Sequence, residues 1–151
     1  MDLVLKNPSE LAARLELAHG QRLLLVDVPE PLAELAVEAR RGRGETSLAE
    51  GRRIRSVKDS YDAILVWRED RVGSHAVLDA LVKRLDPGGV LWGVVALRKV
   101  MGLATPAAHR LEAGDLDRAF GPSGLVRDRE VRVTPWHVAH RFARPDPKKK
   151  S

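Results

Sequence analysis

Charged side chains follow several apolar segments that have the length of β-strands. Asp27 follows one such segment, Trp67 and the charged residues 68–70 close another, and Arg98 follows a third. The carboxyl ends of parallel strands form one edge of a sheet, where open α/β proteins bind ligands. A desolvated carboxylate there can perform acid–base chemistry, and an arginine can bind an anion. The sequence therefore predicts a candidate small-molecule site at Asp27, Trp67, Glu69 and Arg98.

The same residues also have purely structural interpretations, which we expect to be commoner. Asp27 can accept backbone N–H groups as the cap of the helix that follows it. Three consecutive charges at 68–70 are typical of a solvated loop, and so is the basic pair Arg98-Lys99. The sequence leaves these alternatives open.

Other catalytic chemistries lack their residues. The chain has no cysteine, which excludes disulfides, thiolate catalysis and cysteine-ligated zinc. No serine lies in a Gly-x-Ser-x-Gly elbow, and no Gly-x-x-x-x-Gly-Lys loop is present. His137 and His140 are three residues apart in a predicted strand, so they point to opposite faces. We expect no metal site.

The positive charge is concentrated in one segment. The formal net charge of the 151 residues is +5. Residues 40–58 contain seven Arg or Lys against two Glu, and the tail adds Lys148, Lys149 and Lys150, so the rest of the body is mildly acidic. Arginines flanked by glycines can follow a phosphate backbone, which makes this loop a candidate nucleic-acid interface, although a solvated surface loop explains it as well. The candidate residues are Arg41, Arg43, Arg52, Arg53 and Arg55.

Alternating strands and helices must position these side chains. Apolar runs predict strands at 22–27, 61–67 and 90–97, with a further short strand at 52–57. Helices are predicted from Ser9 to about residue 18, from Pro31 to about residue 39, and from Ser74 to Leu85, with Ser9 and Ser74 as caps. A short helix at 115–120 precedes two strands at 125–133 and 136–142, which must pair antiparallel. The fold class is therefore a three-layer, mainly parallel α/β sheet that ends in an antiparallel hairpin. We expect one domain over residues 1–145 and a disordered basic tail at 146–151.

The second half of the chain resembles a known superfamily. Tyr61-Asp62-Ala63-Ile64-Leu65-Val66-Trp67, a helix, and Asp86-Pro87-Gly88-Gly89-Val90-Leu91-Trp92 follow one another as in class I methyltransferases. That likeness covers residues 61–144. More narrowly, the whole chain resembles a family of short bacterial proteins of unknown function with a shortened, Rossmann-like methyltransferase fold, through residues 20–30, 63–67, 88–92 and 124–126.

The first half departs from this resemblance where the cofactor would bind. Active members carry a glycine-rich turn after the first strand, which lets S-adenosylmethionine approach the backbone. Here the turn is Val28-Pro29-Glu30-Pro31, without a glycine and with two residues that lack N–H groups. Asp59 is the nearest candidate for the acidic residue that would bind the ribose. We therefore expect no adenosylmethionine and no other cofactor, and the sequence favours binding over catalysis without deciding between them.

Three functions follow as hypotheses. The first is a non-catalytic methyltransferase-like domain that binds a protein or itself. The alternatives are a nucleic-acid-associated protein that uses the 40–58 loop, and a divergent methyltransferase or other small-molecule enzyme at the strand edge. The chain shows no signal peptide and no apolar run near the ~20 residues that span a bilayer, so we expect a cytoplasmic protein. One Asn, one Gln and many charges suggest a thermophilic source.

Overall fold

A six-stranded sheet with helices on both faces forms the described part of the chain. The computed structural model describes residue 5 and residues 7–42, 44–56, 59–71, 73–97 and 109–145. The helices are α1 (Pro8–Arg14), α2 (Glu30–Ala39), α3 (Ser74–Lys83) and α4 (Ala113–Phe120), and 3-10 helices span Gly51–Ser56 and Gly121–Ser123. The strands are β1 (Arg22–Val26), β2 (Glu45–Ala49), β3 (Tyr61–Trp67), β4 (Leu85–Ala96), β5 (Val126–Thr134) and β6 (His137–Ala143).

The strand order is β2-β1-β3-β4-β6-β5. The first four strands in this order are parallel, whereas β6 pairs antiparallel with both β4 and β5. The predicted α/β class, with its mainly parallel sheet and carboxyl-terminal hairpin, is confirmed.

Each face of the sheet has its own apolar core. Leu24, Ile64 and Leu91 pack on one side with apolar residues of α3 and α4. Leu25 and Leu65 pack on the other side with apolar residues of α1 and α2. This alternation along the strands is what a sheet covered on both faces requires.

The segment from 40 to 58 was predicted wrongly. It is not one loop, because β2 occupies Glu45–Ala49 and pairs with β1. The strand predicted at 52–57 is instead a 3-10 helix at Gly51–Ser56, and among its described side chains Ile54 packs in the core. A single buried apolar residue does not make the alternating pattern of a strand.

Three predicted helix caps were also wrong. Helix α1 is preceded by Asn7, so Ser9 lies inside it, and α2 is preceded by Pro29 instead of Asp27. Gly73, in a left-handed conformation, precedes α3. Ser74 begins that helix, and its hydroxyl donates to the carbonyl of Asp70.

Arg40 connects α2 to the amino-terminal edge of the sheet. Its side chain donates to the carbonyl oxygens of residues 17, 19, 20 and 45 and to Oγ1 of Thr46. Only 3% of its surface is exposed, and burial lowers its pKa. Arg40 is therefore a structural residue, not part of a basic surface.

Candidate functional site

The carboxyl edge of the sheet collects polar side chains from four strands. Asp27 follows β1, Glu50 follows β2, and Arg68 with Glu69 follows β3. Because β6 runs antiparallel to β4, His137 at its amino end lies at this same edge. Two separate polar groups form here.

The first group is a clasp made of Asp27, Gly51 and Arg68. Oδ1 of Asp27 accepts the backbone N–H of Gly51 at 2.9 Å, and Oδ2 accepts Nη1 of Arg68 at 3.1 Å. Asp27 itself has a positive φ of 56°, which non-glycine residues rarely adopt. The clasp thus ties the ends of β1 and β3 to the segment after β2.

Arg68 is held from a second side. Its Nε donates to the hydroxyl of Ser74 at 2.9 Å, and Ser74 is fully buried at the start of α3. Its backbone N–H donates to the carbonyl of Val94. These contacts hold Arg68 at the edge with its guanidinium against the Asp27 carboxylate.

The second group is a hydrogen-bonded chain from Glu69 through His137 to Thr134. Oε1 of Glu69 lies 2.6 Å from Nε2 of His137, and Nδ1 of His137 lies 2.9 Å from Oγ1 of Thr134. The Trp67 ring lies 4.4 Å from the His137 ring, centroid to centroid. The hydrogen bond from His137 holds the pKa of Glu69 below its usual range.

A carboxylate, an imidazole and a hydroxyl in series resemble a nucleophile relay. Here, however, Thr134 and His137 are both buried, and the Thr134 oxygen also accepts the N–H of Trp136. Both ring nitrogens of His137 and the Thr134 hydroxyl thus have protein partners. The arrangement joins the segment after β3 to the β5–β6 turn, and its hydroxyl is buried instead of being presented as a nucleophile.

The predicted small-molecule site is only partly brought together. Trp67 and Glu69 share His137 as a neighbour, whereas Asp27 belongs to the separate clasp. Arg98 lies outside the described residues. The cavity that Asp27 lines includes neither Trp67 nor Glu69 among its lining residues.

A cavity of about 530 Å³ lies beside the clasp, at the ends of β1 and β2. Asp27, Glu50 and Arg53 supply its polar lining, and Leu25, Val28, Leu48 and Ala49 the apolar part. Glu50 is the acidic residue at the end of the second strand, the position that the resemblance gives to the ribose ligand. Asp59 is therefore the wrong candidate, because it forms an ion pair with Arg22, which begins β1 at the opposite edge.

Sequence reasoning missed Glu50 because it missed β2. Glu50 Oε2 lies 2.5 Å from Nε of Arg52, and this hydrogen bond lowers the pKa of the Glu50 carboxyl. A ribose hydroxyl could bind the Glu50 carboxylate only by competing with Arg52.

The predicted basic residues fall at both ends of β2. Arg41 precedes the strand and pairs with Glu38 at 3.0 Å, while Arg52 and Arg53 follow it. Arg43 and the side chain of Arg55 lie outside the described residues. The five arginines do not form one continuous loop.

Two absences hold for the part of the chain that the structure describes. No group of three His, Asp or Glu side chains there is arranged to hold a metal ion. No helix there has the length and apolar character to cross a membrane.

Comparison with known proteins gives a fold and no sequence family. No family model matches the sequence, and no curated protein matches it. The fold is similar to an S-adenosylmethionine-dependent methyltransferase from Aquifex aeolicus, with a TM-score of 0.71, 11% identity, and 91% of this chain and 89% of that chain covered. It is similar to a putative type 11 methyltransferase from Sulfolobus solfataricus, with a TM-score of 0.60, 16% identity and 98% of each chain covered.

A third solved structure also has a similar fold. The N-methyltransferase NodS from Bradyrhizobium japonicum WM9 has a TM-score of 0.55 and 18% identity, over 92% of this chain and 94% of that chain. Similarity at these identities concerns the path of the backbone and does not transfer an activity. The chain has a methyltransferase-like, Rossmann-like fold.

Proposed function

We propose that this protein is a non-catalytic, methyltransferase-like domain that acts by binding a protein partner. The observation that carries the proposal is the clasp of Asp27 with Gly51 and Arg68. It occupies the end of β1, where active members of the superfamily need an open, glycine-lined turn.

The turn after β1 supplies few groups for a cofactor. Pro29 immediately precedes α2, and Pro31 lies in its first turn, so two positions lack a backbone N–H. Glu30 adds a negative charge to that turn, which disfavours an anionic group at the helix terminus. The cofactor's carboxylate would find neither the donors nor the positive field that a helix start ordinarily offers.

The two polar groups also support binding over catalysis. Methyl transfer needs a donor and an acceptor at one point, whereas Asp27 and Glu69 belong to different hydrogen-bonded groups. A divergent enzyme at the edge would instead need a reactive group left free in a shared cavity.

Adenosylmethionine binding is the direct test. We expect no heat in titration calorimetry and no change in melting temperature at 1 mM adenosylmethionine or adenosylhomocysteine. A ligand at 100 times its Kd would add about 2.7 kcal/mol to the free energy of unfolding. At about 2–4 °C per kcal/mol, the melting temperature would rise by about 5–11 °C.

Glu50 provides the matched control. If a shift of that size occurs in the wild type and is lost in Glu50→Ala, the cavity is a cofactor site and the proposal is wrong. Asp59→Ala removes a carboxylate at the opposite edge, so it must leave the result unchanged.

A further inference from the structure

Within the described part of the chain, the outer side of β2 is a free sheet edge. β2 stands last in the sheet order, and its described neighbour is β1 alone. The N–H of Glu45 donates to Gln21, and the carbonyl of Ala49 accepts from Asp27. In a parallel strand, the backbone groups of alternate residues point to alternate sides. The N–H and C=O groups of Thr46 and Leu48 therefore point away from β1.

An exposed apolar side chain lies beside these backbone groups. Leu48 is 65% exposed and aligns with Leu25, so it lies on the face that carries α2. Val37 of α2 is 51% exposed. An exposed edge that combines free backbone groups with an apolar residue is a template for another strand.

The segment that contains this edge is positively charged in sequence. Residues 41–58 carry six Arg or Lys against two Glu. The nearby carboxylates of Glu45 and Glu50 pair with Arg22 and Arg52. The edge thus favours a strand with negative charge at its ends.

This charge selects among possible occupants. A second copy would bring the same basic segment against itself, which like-charge repulsion opposes. Nucleic-acid phosphates offer only acceptors, so they cannot satisfy the outward carbonyls of Thr46 and Leu48. An extended peptide supplies both donors and acceptors, as in strand addition to sheet edges.

We propose that the free edge of β2 binds an extended peptide segment of a partner protein, with an apolar centre and acidic ends. The inference specifies the class of partner for the proposed binding function, and it rests on that function. The five residues of β2 extend about 13 Å between their terminal Cα atoms, so about five partner residues pair with it. Acidic residues then lie just beyond both ends.

A fluorescein-labelled peptide, Asp-Glu-Thr-Val-Thr-Val-Thr-Glu-Asp, tests the site by fluorescence anisotropy at 50 mM salt. We expect saturable binding that weakens at 500 mM salt, where charges are more strongly screened. A peptide with Lys in place of each Asp and Glu must bind at least tenfold more weakly.

Leu48→Pro removes an outward N–H without breaking a hydrogen bond to β1, as edge prolines can. It should weaken peptide binding about tenfold, since one lost hydrogen bond contributes about that factor. Leu48→Ala retains the N–H and should bind more tightly than Leu48→Pro. Equal binding by the two variants would contradict backbone pairing.

Hydrogen exchange of the wild-type protein needs no variant. The peptide should slow exchange of the Thr46 and Leu48 amides, whereas the Ser47 amide is already paired with β1. Binding without this protection, or no saturable binding up to 1 mM peptide, overturns the proposal. A dimer that Leu48→Pro dissociates, or an oligonucleotide that protects both amides, assigns the edge to another occupant. Each of these results leaves the adenosylmethionine test unaffected.

Discussion

Replacing Gly51 with alanine would place a Cβ atom 2.5 Å from Oδ2 of Asp27. The same atom would lie 3.1 Å from Nη1 of Arg68 and 3.3 Å from Cγ2 of Val77. The first distance is far below a van der Waals contact, so the carboxylate must move. Because the carboxylate is shared between the Gly51 amide and Arg68, its displacement disrupts both contacts of the clasp.

The expected loss follows from these two contacts. A hydrogen bond to a charged acceptor contributes about 1.5–3 kcal/mol, and a partly exposed ion pair about 1 kcal/mol or less. Alanine restricts the unfolded chain and returns about 0.4–1 kcal/mol. We expect Gly51→Ala to lower the free energy of unfolding by about 2 kcal/mol, and the melting temperature by about 4–8 °C.

Urea unfolding followed by circular dichroism measures this change. Gly121→Ala is the matched control, because no heavy atom lies within 4 Å of the added Cβ and its φ of −55° suits alanine. It should be as stable as the wild type or slightly more so. In an Asp27→Gly background the clash is absent, and Gly51→Ala should cost little. Equal stabilities of Gly51→Ala and Gly121→Ala would refute the clasp.

Three further outcomes are expected. Glu69→Gln should lower the free energy of unfolding by about 1–2 kcal/mol at pH 7. The His137 hydrogen bond lowers the pKa of Glu69 in the folded protein. The contribution of this contact to stability is therefore complete above the unfolded pKa of about 4.3 and is lost as pH falls through the lower folded pKa. Urea midpoints from pH 7 to pH 3 measure this loss. Arg40→Met should cost about 3 kcal/mol or more, because it leaves buried carbonyl oxygens without donors, whereas the neighbouring Arg41→Met should change the unfolding free energy by about 0.5 kcal/mol or less. If the protein binds duplex DNA, gel shifts should weaken with salt at a logarithmic slope of about −0.9 per phosphate contact and should disappear when alanine replaces three residues: Arg52, Arg53 and Arg55.

Each outcome has a contrary result. An acid transition of Glu69→Gln identical to that of the wild type would show that the His137 contact contributes nothing to stability. Equal losses for the Arg40 and Arg41 variants would mean that burial of Arg40 has no energetic consequence. A gel shift that the triple alanine variant retains would remove the basic segment as a nucleic-acid interface.

The fold was predictable wherever strands are buried. The runs at 22–27, 61–67 and 90–97 mark central strands, because both of their faces are covered and the apolar residues are continuous. β2 was missed for the opposite reason. Its sequence, Glu-Thr-Ser-Leu-Ala, has one large apolar residue, and that residue is exposed. An edge strand buries fewer side chains than a central strand, so it lacks the continuous apolar run.

The sequence predicted which edge of the sheet carries the candidate site, but it did not predict which side chains meet there. Trp67 and Glu69 were placed correctly at the carboxyl edge from the end of one strand. His137 lies 68 residues from Glu69 in sequence, and no local pattern links them. The available signal was the antiparallel hairpin, since the first residue of β6 must return to the edge where β3 ends. Counting the starts of antiparallel strands together with the ends of parallel ones would have found it.

The order of the strands separates the two polar groups along the carboxyl edge of the sheet. The cavity with Glu50 lies at β2 and β1, the clasp joins β1 to β3, and Glu69 meets His137 beyond β3. The clasp therefore lies between the strand ends that line the cavity and the strand end that carries Glu69. Group transfer requires its two substrates to meet at one point. The separation of Glu50 from Glu69 is what the proposed non-catalytic role expects, and Gly51→Ala, which displaces the clasp between them, is the variant in which to repeat the adenosylmethionine titration.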